Sequence, residues 1–214
     1  MKFKFFNAFL ASLILLASNL ANAGIIYDNG PSGNADGWNF GNPSSADDFL
    51  LTSDAIINGV TFWAYSNDVS NLANIGWGIA EDSGNTPGSY IATGLAASTS
   101  VVDTGFNISS LDIFQVDFSF SGVSLSANTS YWLALDSGVL GTNNTSGFSG
   151  WLWTNESVKG SSSVYGGPTN WNVPNGADNA FQLHASVDVP EPSTLAIFAL
   201  GMIGLASCRF KKQF

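Results

Sequence analysis

Few side chains in this 214-residue sequence are equipped for acid–base, nucleophilic or metal chemistry. There is one histidine, His184, and one cysteine, Cys208. A serine-type triad needs a histidine as its base, so His184 would have to serve. No G-x-S-x-G elbow accompanies it, and no second histidine completes a zinc site of the HExxH kind. In "AFQLHASVDV" it alternates with Gln182 and Ser186, the pattern of a histidine on the polar face of a strand. Glycoside hydrolysis needs two carboxyl groups facing each other across a cleft. Glu81, Glu156 and the many aspartates offer numerous pairs and single out none. The expectation is a protein that is not an enzyme.

Calcium asks for less. It takes six to eight oxygen ligands in irregular geometry. "SSADDF" supplies Asp47 and Asp48, and "NGADNAF" supplies Asn175, Asp178 and Asn179. Both stretches leave a loop and enter a strand, so they meet in a sandwich whose first and last strands pair. The alternative is ordinary turn chemistry, which Asp and Asn favour in any protein. No EF-hand spacing is present. Asp47, Asp48 and Asp178 are the candidate calcium ligands.

Sugar stacking is the other binding chemistry within reach. Trp38, Trp151, Trp153 and Trp171 lie in or beside Gly/Asn/Ser-rich stretches, whereas Trp63 and Trp77 lie inside apolar runs. Tryptophans can equally pin loops onto a core, each burying ~150–250 Å². That role is assigned to Trp151 and Trp153, which leaves Trp38 and Trp171 as the glycan-stacking candidates.

The elements that must position these residues are strands. Residues 24–188 are rich in Gly, Ser, Asn, Thr and aromatics and poor in helix formers. In "IFQVDFSFS", Phe114, Val116, Phe118 and Phe120 share one face, while Gln115, Asp117 and Ser119 share the other. Period two marks a half-buried antiparallel strand. Phe181, Leu183, Ala185 and Val187 repeat the pattern. Further strands are predicted at 24–27, 48–51, 57–65, 74–81, 89–95, 98–105, 131–136 and 150–154. Residues 137–149 and 155–177 read as loops. About ten short strands predict an all-β fold, a jelly-roll-like antiparallel sandwich.

The two ends of the chain carry different signals. Lys2 and Lys4 precede an apolar stretch, Ala8 to Leu16, and Ala21-Asn22-Ala23 gives the small-x-small pattern of a signal-peptidase site. Cleavage is predicted after Ala23. At the other end, Val189-Pro190-Glu191-Pro192-Ser193 leads into an uncharged run that ends at Cys208, followed by Arg209, Lys211 and Lys212. The run is shorter than the ~20 residues that span a bilayer comfortably, and the basic tip stays cytoplasmic by the positive-inside rule.

These three parts, in order at the terminus, resemble the PEP-CTERM sorting signal of exported Gram-negative proteins. The resemblance covers residues 189–214. It implies a transmembrane sorting helix, an inner-membrane intermediate, recognition by an exosortase, removal of the tail near the Pro-Glu-Pro, and delivery to the cell surface or extracellular matrix. The segment order "DDFLLTSDAIINGVTFWAY", then "GWGIAEDSGNTPGSYIATG", also resembles sandwich domains found in front of such tails, and carries no catalytic motif.

Three segments result: a signal peptide at 1–23, a sandwich domain at 24–188 and the sorting signal at 189–214. The domain has 15 acidic residues against one lysine, Lys159, and no arginine. Such a balance excludes nucleic acid as a partner. The only cysteine lies in the tail, so the domain has no disulfide. The expected role is non-catalytic, structural or adhesive, in an exopolysaccharide-rich envelope. A secreted carbohydrate-binding module, or failing that a glycoside hydrolase, is the alternative.

Overall fold

Alternating hydrophobicity becomes two facing antiparallel sheets in the computed structural model, which describes residues 23–40, 44–142, 148–167, 170–173 and 176–186. The first sheet holds β1 (Ala23–Asp28), β2 (Ser32–Asn39), β4 (Ala55–Ser66), β7 (Ser98–Ile108), β8 (Leu111–Leu125), β10 (Ser149–Thr154) and β12 (Phe181–Ser186). The second holds β3 (Ser45–Leu50), β5 (Ile75–Asp82), β6 (Pro87–Leu95), β9 (Ser130–Ser137) and β11 (Val164–Tyr165), in the order β11-β3-β9-β5-β6. A 3-10 turn, Val69–Leu72, is capped by the Asp68 side chain, which accepts from the Ser70 N–H. The expected pair of packed antiparallel sheets is present. Its hairpins are β5–β6 and β7–β8; β1 and β2 share the first sheet without pairing, and the other connections cross between sheets.

β4 organises the first sheet. β8 pairs along one side of it from Ala55 to Ser66. On the other side two strands lie end to end. β12 covers the first half, with Phe181 opposite Phe62, and β10 covers the second, with Trp151 opposite Ala64. β1 then pairs with β12, so the first and last described strands are neighbours as expected.

The core lies between the sheets. Phe62, Val116, Phe181 and Leu183 meet Phe49, Ile79, Leu133 and Leu135 from the opposite layer. Phe62 sits edge-on to Phe40, Phe118 and Trp151, and Trp77 stacks on Phe120 with centroids 4.1 Å apart. The face predicted for Phe114, Val116, Phe118 and Phe120 is buried throughout. Each such ring removes enough apolar area from water to stabilise the fold by ~1.5–3 kcal/mol.

Two strands depart from the sequence reading. β2, "SGNADGWN", lacks apolar alternation and is not among the predicted strands, yet it pairs with β10. Gly37 explains why this polar stretch fits: a Cβ there would collide with the backbone carbonyl of Trp151. β11 interrupts the long loop expected at 155–177, pairing with β3, and Tyr165 is bridged further to Asn172.

Ala23, at the expected cleavage site, opens β1. Ala21, Val189 to Ser193, and Arg209, Lys211 and Lys212 lie outside the described residues, as does the expected tail helix. Among the described residues no helix is long and apolar enough to cross a membrane.

Candidate functional site

Two polar clusters stand out. The first is a buried corner where β3 meets the segment leading into β12. It contains the calcium candidates. Asp47 is 0 % exposed, Asp178 1 % and Asp48 6 %. Asp47 accepts from the Asn179 N–H, from Asn29 Nδ2 at 3.2 Å and, through its other oxygen, from the Asp48 N–H at 2.9 Å. Asp178 Oδ2 accepts from the Lys159 N–H at 2.6 Å, and Asp48 Oδ1 from the Ser161 N–H at 3.0 Å. Loop 155–163 is therefore fastened to the sheet by backbone N–H groups donating to carboxylates.

Strand geometry splits the three. Successive side chains of a strand point to opposite faces. Asp47 shares its face with Phe49, a member of the inter-sheet core, whereas Asp48 shares the outer face with Ala46, which packs on Trp132 and Val164. Among the described residues no group of three or more His, Cys, Asp or Glu is arranged to hold a metal ion. Asp47, Asp48 and Asp178 are close enough to repel, but they do not form one three-carboxylate cage.

Burial dominates the electrostatics of this corner. It pushes the Asp47 carboxyl well above the usual range, and the charge of Asp178 adds to the shift. Asp48 is raised to about 7, again by burial first, against the lowering effect of its bond from Ser161. Asp178 is raised by burial and partly relieved by Lys159. Tyr27, whose hydroxyl donates to Asn29 Oδ1, is raised by burial and then by these same carboxylates.

The tryptophan candidates border this corner. Trp38 lies on β2 with Tyr165 stacked on its ring at 4.6 Å and Trp153 edge-on at 5.0 Å. Its Nε1 donates to Ser163 Oγ at 3.0 Å. One face of Trp38 is thus occupied by the protein itself. Trp171 is half-buried against the small cluster of Ala46, Ala80, Trp132, Ala134 and Val164. Trp151 is fully buried and donates to the Ala180 carbonyl. Trp38 and Trp171 pack on different neighbours, Trp38 on Tyr165 and Trp153 and Trp171 on the Ala46 cluster.

The second cluster is on the outer face of the first sheet. Thr61, Asp117 and His184 come from the adjacent strands β4, β8 and β12. Thr61 Oγ1 donates to Asp117 Oδ1 and lies 2.7 Å from His184 Nε2. A hydroxyl has one proton. With that proton directed at Asp117, the contact with His184 requires Nε2 to be the donor to Thr61. Gln115 Nε2 donates to the second oxygen of Asp117 at 3.1 Å. Burial holds the His184 pKa below its usual value, with Asp117 pulling the other way.

A groove of about 450 Å³ opens beside this relay, lined by Asn58, Gly59, Ser98, Ser100, Ser119 and His184 among others. Its shape follows from a bulge. Ile57 and Val60 both face the core although three residues apart, so the strand must carry an extra residue between them. The register with β12 slips there, His184 pairing with Gly59 and Ala185 with Ile57. Gly59 leaves the floor low: a Cβ at this position would crowd the Phe118 carbonyl.

The sequence reading named His184, Asp47, Asp48, Asp178 and Asn179, but not Thr61, Asp117 or Asn29 as members of clusters. Asp117 was visible as a polar-face residue. Its meeting with Thr61 depends on strand pairing, which composition does not encode.

Comparison with known proteins bears on the tail. The PEP-CTERM protein-sorting motif matches residues 188–212. This fits a substrate of an exosortase, and implies export and surface localisation by that route. No curated protein shows significant similarity to the chain.

Proposed function

We propose that the domain of residues 24–188, carried outward by this sorting motif, has a structural or adhesive role in an exopolysaccharide-rich envelope and catalyses no reaction. Signal peptidase removes residues 1–23, the tail holds the chain in the inner membrane, and an exosortase cleaves near Pro190–Pro192. The observation that carries the non-catalytic reading is the order Asp117–Thr61–His184. A triad places the histidine between acid and nucleophile, so that it takes the proton as the attack begins. Here the hydroxyl is in the middle and donates its one hydrogen bond to the acid, which leaves the histidine as a donor to the same oxygen rather than its base. The carboxylates of the other cluster are buried and face backbone N–H groups rather than a cleft.

A second reading is a carbohydrate-binding module, favoured by the outer-face groove. Asn58, Ser98, Ser100, Ser119, Asp117 and His184 present donors and acceptors suited to sugar hydroxyls over a bulge that leaves room for them. Incubation with the exopolysaccharide of the producing cells separates the readings. Retention without new reducing ends, weakened by Asp117→Asn, supports the binding module; neither retention nor release supports a structural role. Steady release that disappears with Asp117→Asn or His184→Gln overturns the non-catalytic assignment. Intact-mass analysis of the surface protein tests the processing: a product beginning at Gly24 and ending near Pro190 is expected, whereas a retained apolar tail indicates a plain anchor.

A further inference from the structure

The buried corner has more negative charge than its protein partners account for. Lys159, the only lysine of the domain, places its ammonium on the Asp28 carbonyl at 2.9 Å and touches Asp178 only through its backbone N–H. Two deeply buried oxygens of this corner accept no hydrogen bond, Asp178 Oδ1 and Asn179 Oδ1; Asp136 Oδ1, elsewhere in the fold, is a lone one. Their residues are 1 % and 0 % exposed. The neighbouring Asp47 carboxylate is fully buried and receives the Asn179 N–H, so the same short stretch of chain carries both unpartnered oxygens and contacts a second carboxylate. Buried acceptors without donors cost ~1–3 kcal/mol each, and more when charged. Two such oxygens on adjacent residues, beside a second carboxylate, are donors that a cation can complete.

We propose that Asp178, Asn179 and Asp47 hold one calcium ion, through Asp178 Oδ1, Asn179 Oδ1 and the Asp47 carboxylate. Asp48, turned to the other face of β3, stays outside the coordination shell. The set therefore has two carboxylates and an amide, not the three carboxylates the sequence pointed to, which agrees with the absence of any three-acid grouping among the described residues. Oxygen-only donors in irregular geometry select calcium over zinc, which takes nitrogen and sulfur, and over magnesium, which demands a regular octahedron and keeps its waters. The expected affinity is that of an extracellular module, ~10⁻⁴–10⁻³ M. Bound there, the ion clamps the segment entering β12 onto β3, and with it the loop that Asp178 and Asp48 fasten.

The test uses the intact chain purified in detergent and stripped with chelator. Its melting is followed by tryptophan fluorescence in chelator, in calcium and in magnesium. Calcium at ten to a hundred times its Kd should raise the melting temperature by about 3–8 °C, and magnesium at the same concentration by less than half of that. Asp178→Asn and Asn179→Ala should abolish the calcium shift, while Asp136→Asn, a buried aspartate elsewhere, should keep it. Wild-type protein that melts at one temperature in chelator and in calcium overturns the proposal and leaves protons as the corner's neutralising species. So does an undiminished shift in Asp178→Asn, which places the ion elsewhere. If the variants do not fold, metal content of the wild type after gel filtration in calcium decides: about one ion per chain supports the site, and none overturns it.

Discussion

The buried corner at β3 and the outer face at β4, β8 and β12 are built from the same few residue types, yet they follow opposite physics. In the corner, Asp47, Asp48 and Asp178 are removed from water, their carboxyls are pushed upward, and backbone N–H groups are their main donors. On the outer face, Asp117 is half-buried and takes its bonds from side chains, Thr61 and Gln115, on neighbouring and identical strands. The first arrangement fixes chain against chain. The second leaves side chains at the rim of an open groove. Identical chemistry thus serves cohesion in one place and is available for recognition in the other, and solvent access makes the difference.

A matched pair of glycine substitutions gives the sharpest contrast. Gly160 has φ +89° and a Cβ there would strike Asp48 Oδ2. Gly160→Ala should destabilise the domain by about 2–4 kcal/mol, combining left-handed strain with loss of the Ser161–Asp48 bond. Gly59→Ala, whose Cβ would lie 3.3 Å from the Phe118 carbonyl and 3.5 Å from His184 Cβ, should cost about 1 kcal/mol or less while shallowing the groove. Urea unfolding of both variants checks this. Equal losses would erase the distinction between the two regions.

Trp38→Ala should come next, at about 2 kcal/mol, because the ring packs between Tyr165 and Trp153 and its Nε1 anchors Ser163. The expected signature is a lower urea midpoint together with faster proteolysis within 155–165. A variant that keeps full stability but loses polysaccharide retention would return Trp38 to the role of a sugar platform. Thr61→Val should cost about 1 kcal/mol, since two bonds are lost but both partners are accessible enough to take water. Its effect should be larger on polysaccharide retention than on the melting temperature if the groove binds.

The smallest effect is in pH. His184 is depressed in the fold, so its contribution to stability is present above its unfolded value, ~6.5, and fades as pH falls through the folded one. Asp136 is raised by burial against the bonds from Ser44 and Gly141. Its contribution is present below the ordinary aspartate range and is lost as pH rises through its folded value. Between about pH 4 and 7 the two slopes oppose. His184→Gln should make stability fall more steeply with rising pH, and Asp136→Asn should flatten it, each by less than about 1 kcal/mol. Denaturant titrations at several pH values read both, and slopes that change in the same direction from wild type in the two variants would refute the assignment.

Local chemistry made much of this protein legible from its sequence. Period-two alternation placed β8 and β12 and their buried faces, because a strand half-buried between two layers must repeat every second residue. The charge balance and the three-part terminus pointed to export, because sorting signals are read as short contiguous stretches of chain. Tertiary structure decided what depends on pairing. β2 is a strand only because β10 lies beside it and Gly37 lets the backbones close. Thr61 meets Asp117 only through the β4–β8 register, and His184 only through the β4–β12 register. Asp47 and Asp48, adjacent in sequence and alike in chemistry, part company because consecutive side chains of a strand face opposite layers. Composition proposes partners across the chain; hydrogen-bond register and strand alternation determine which of them meet.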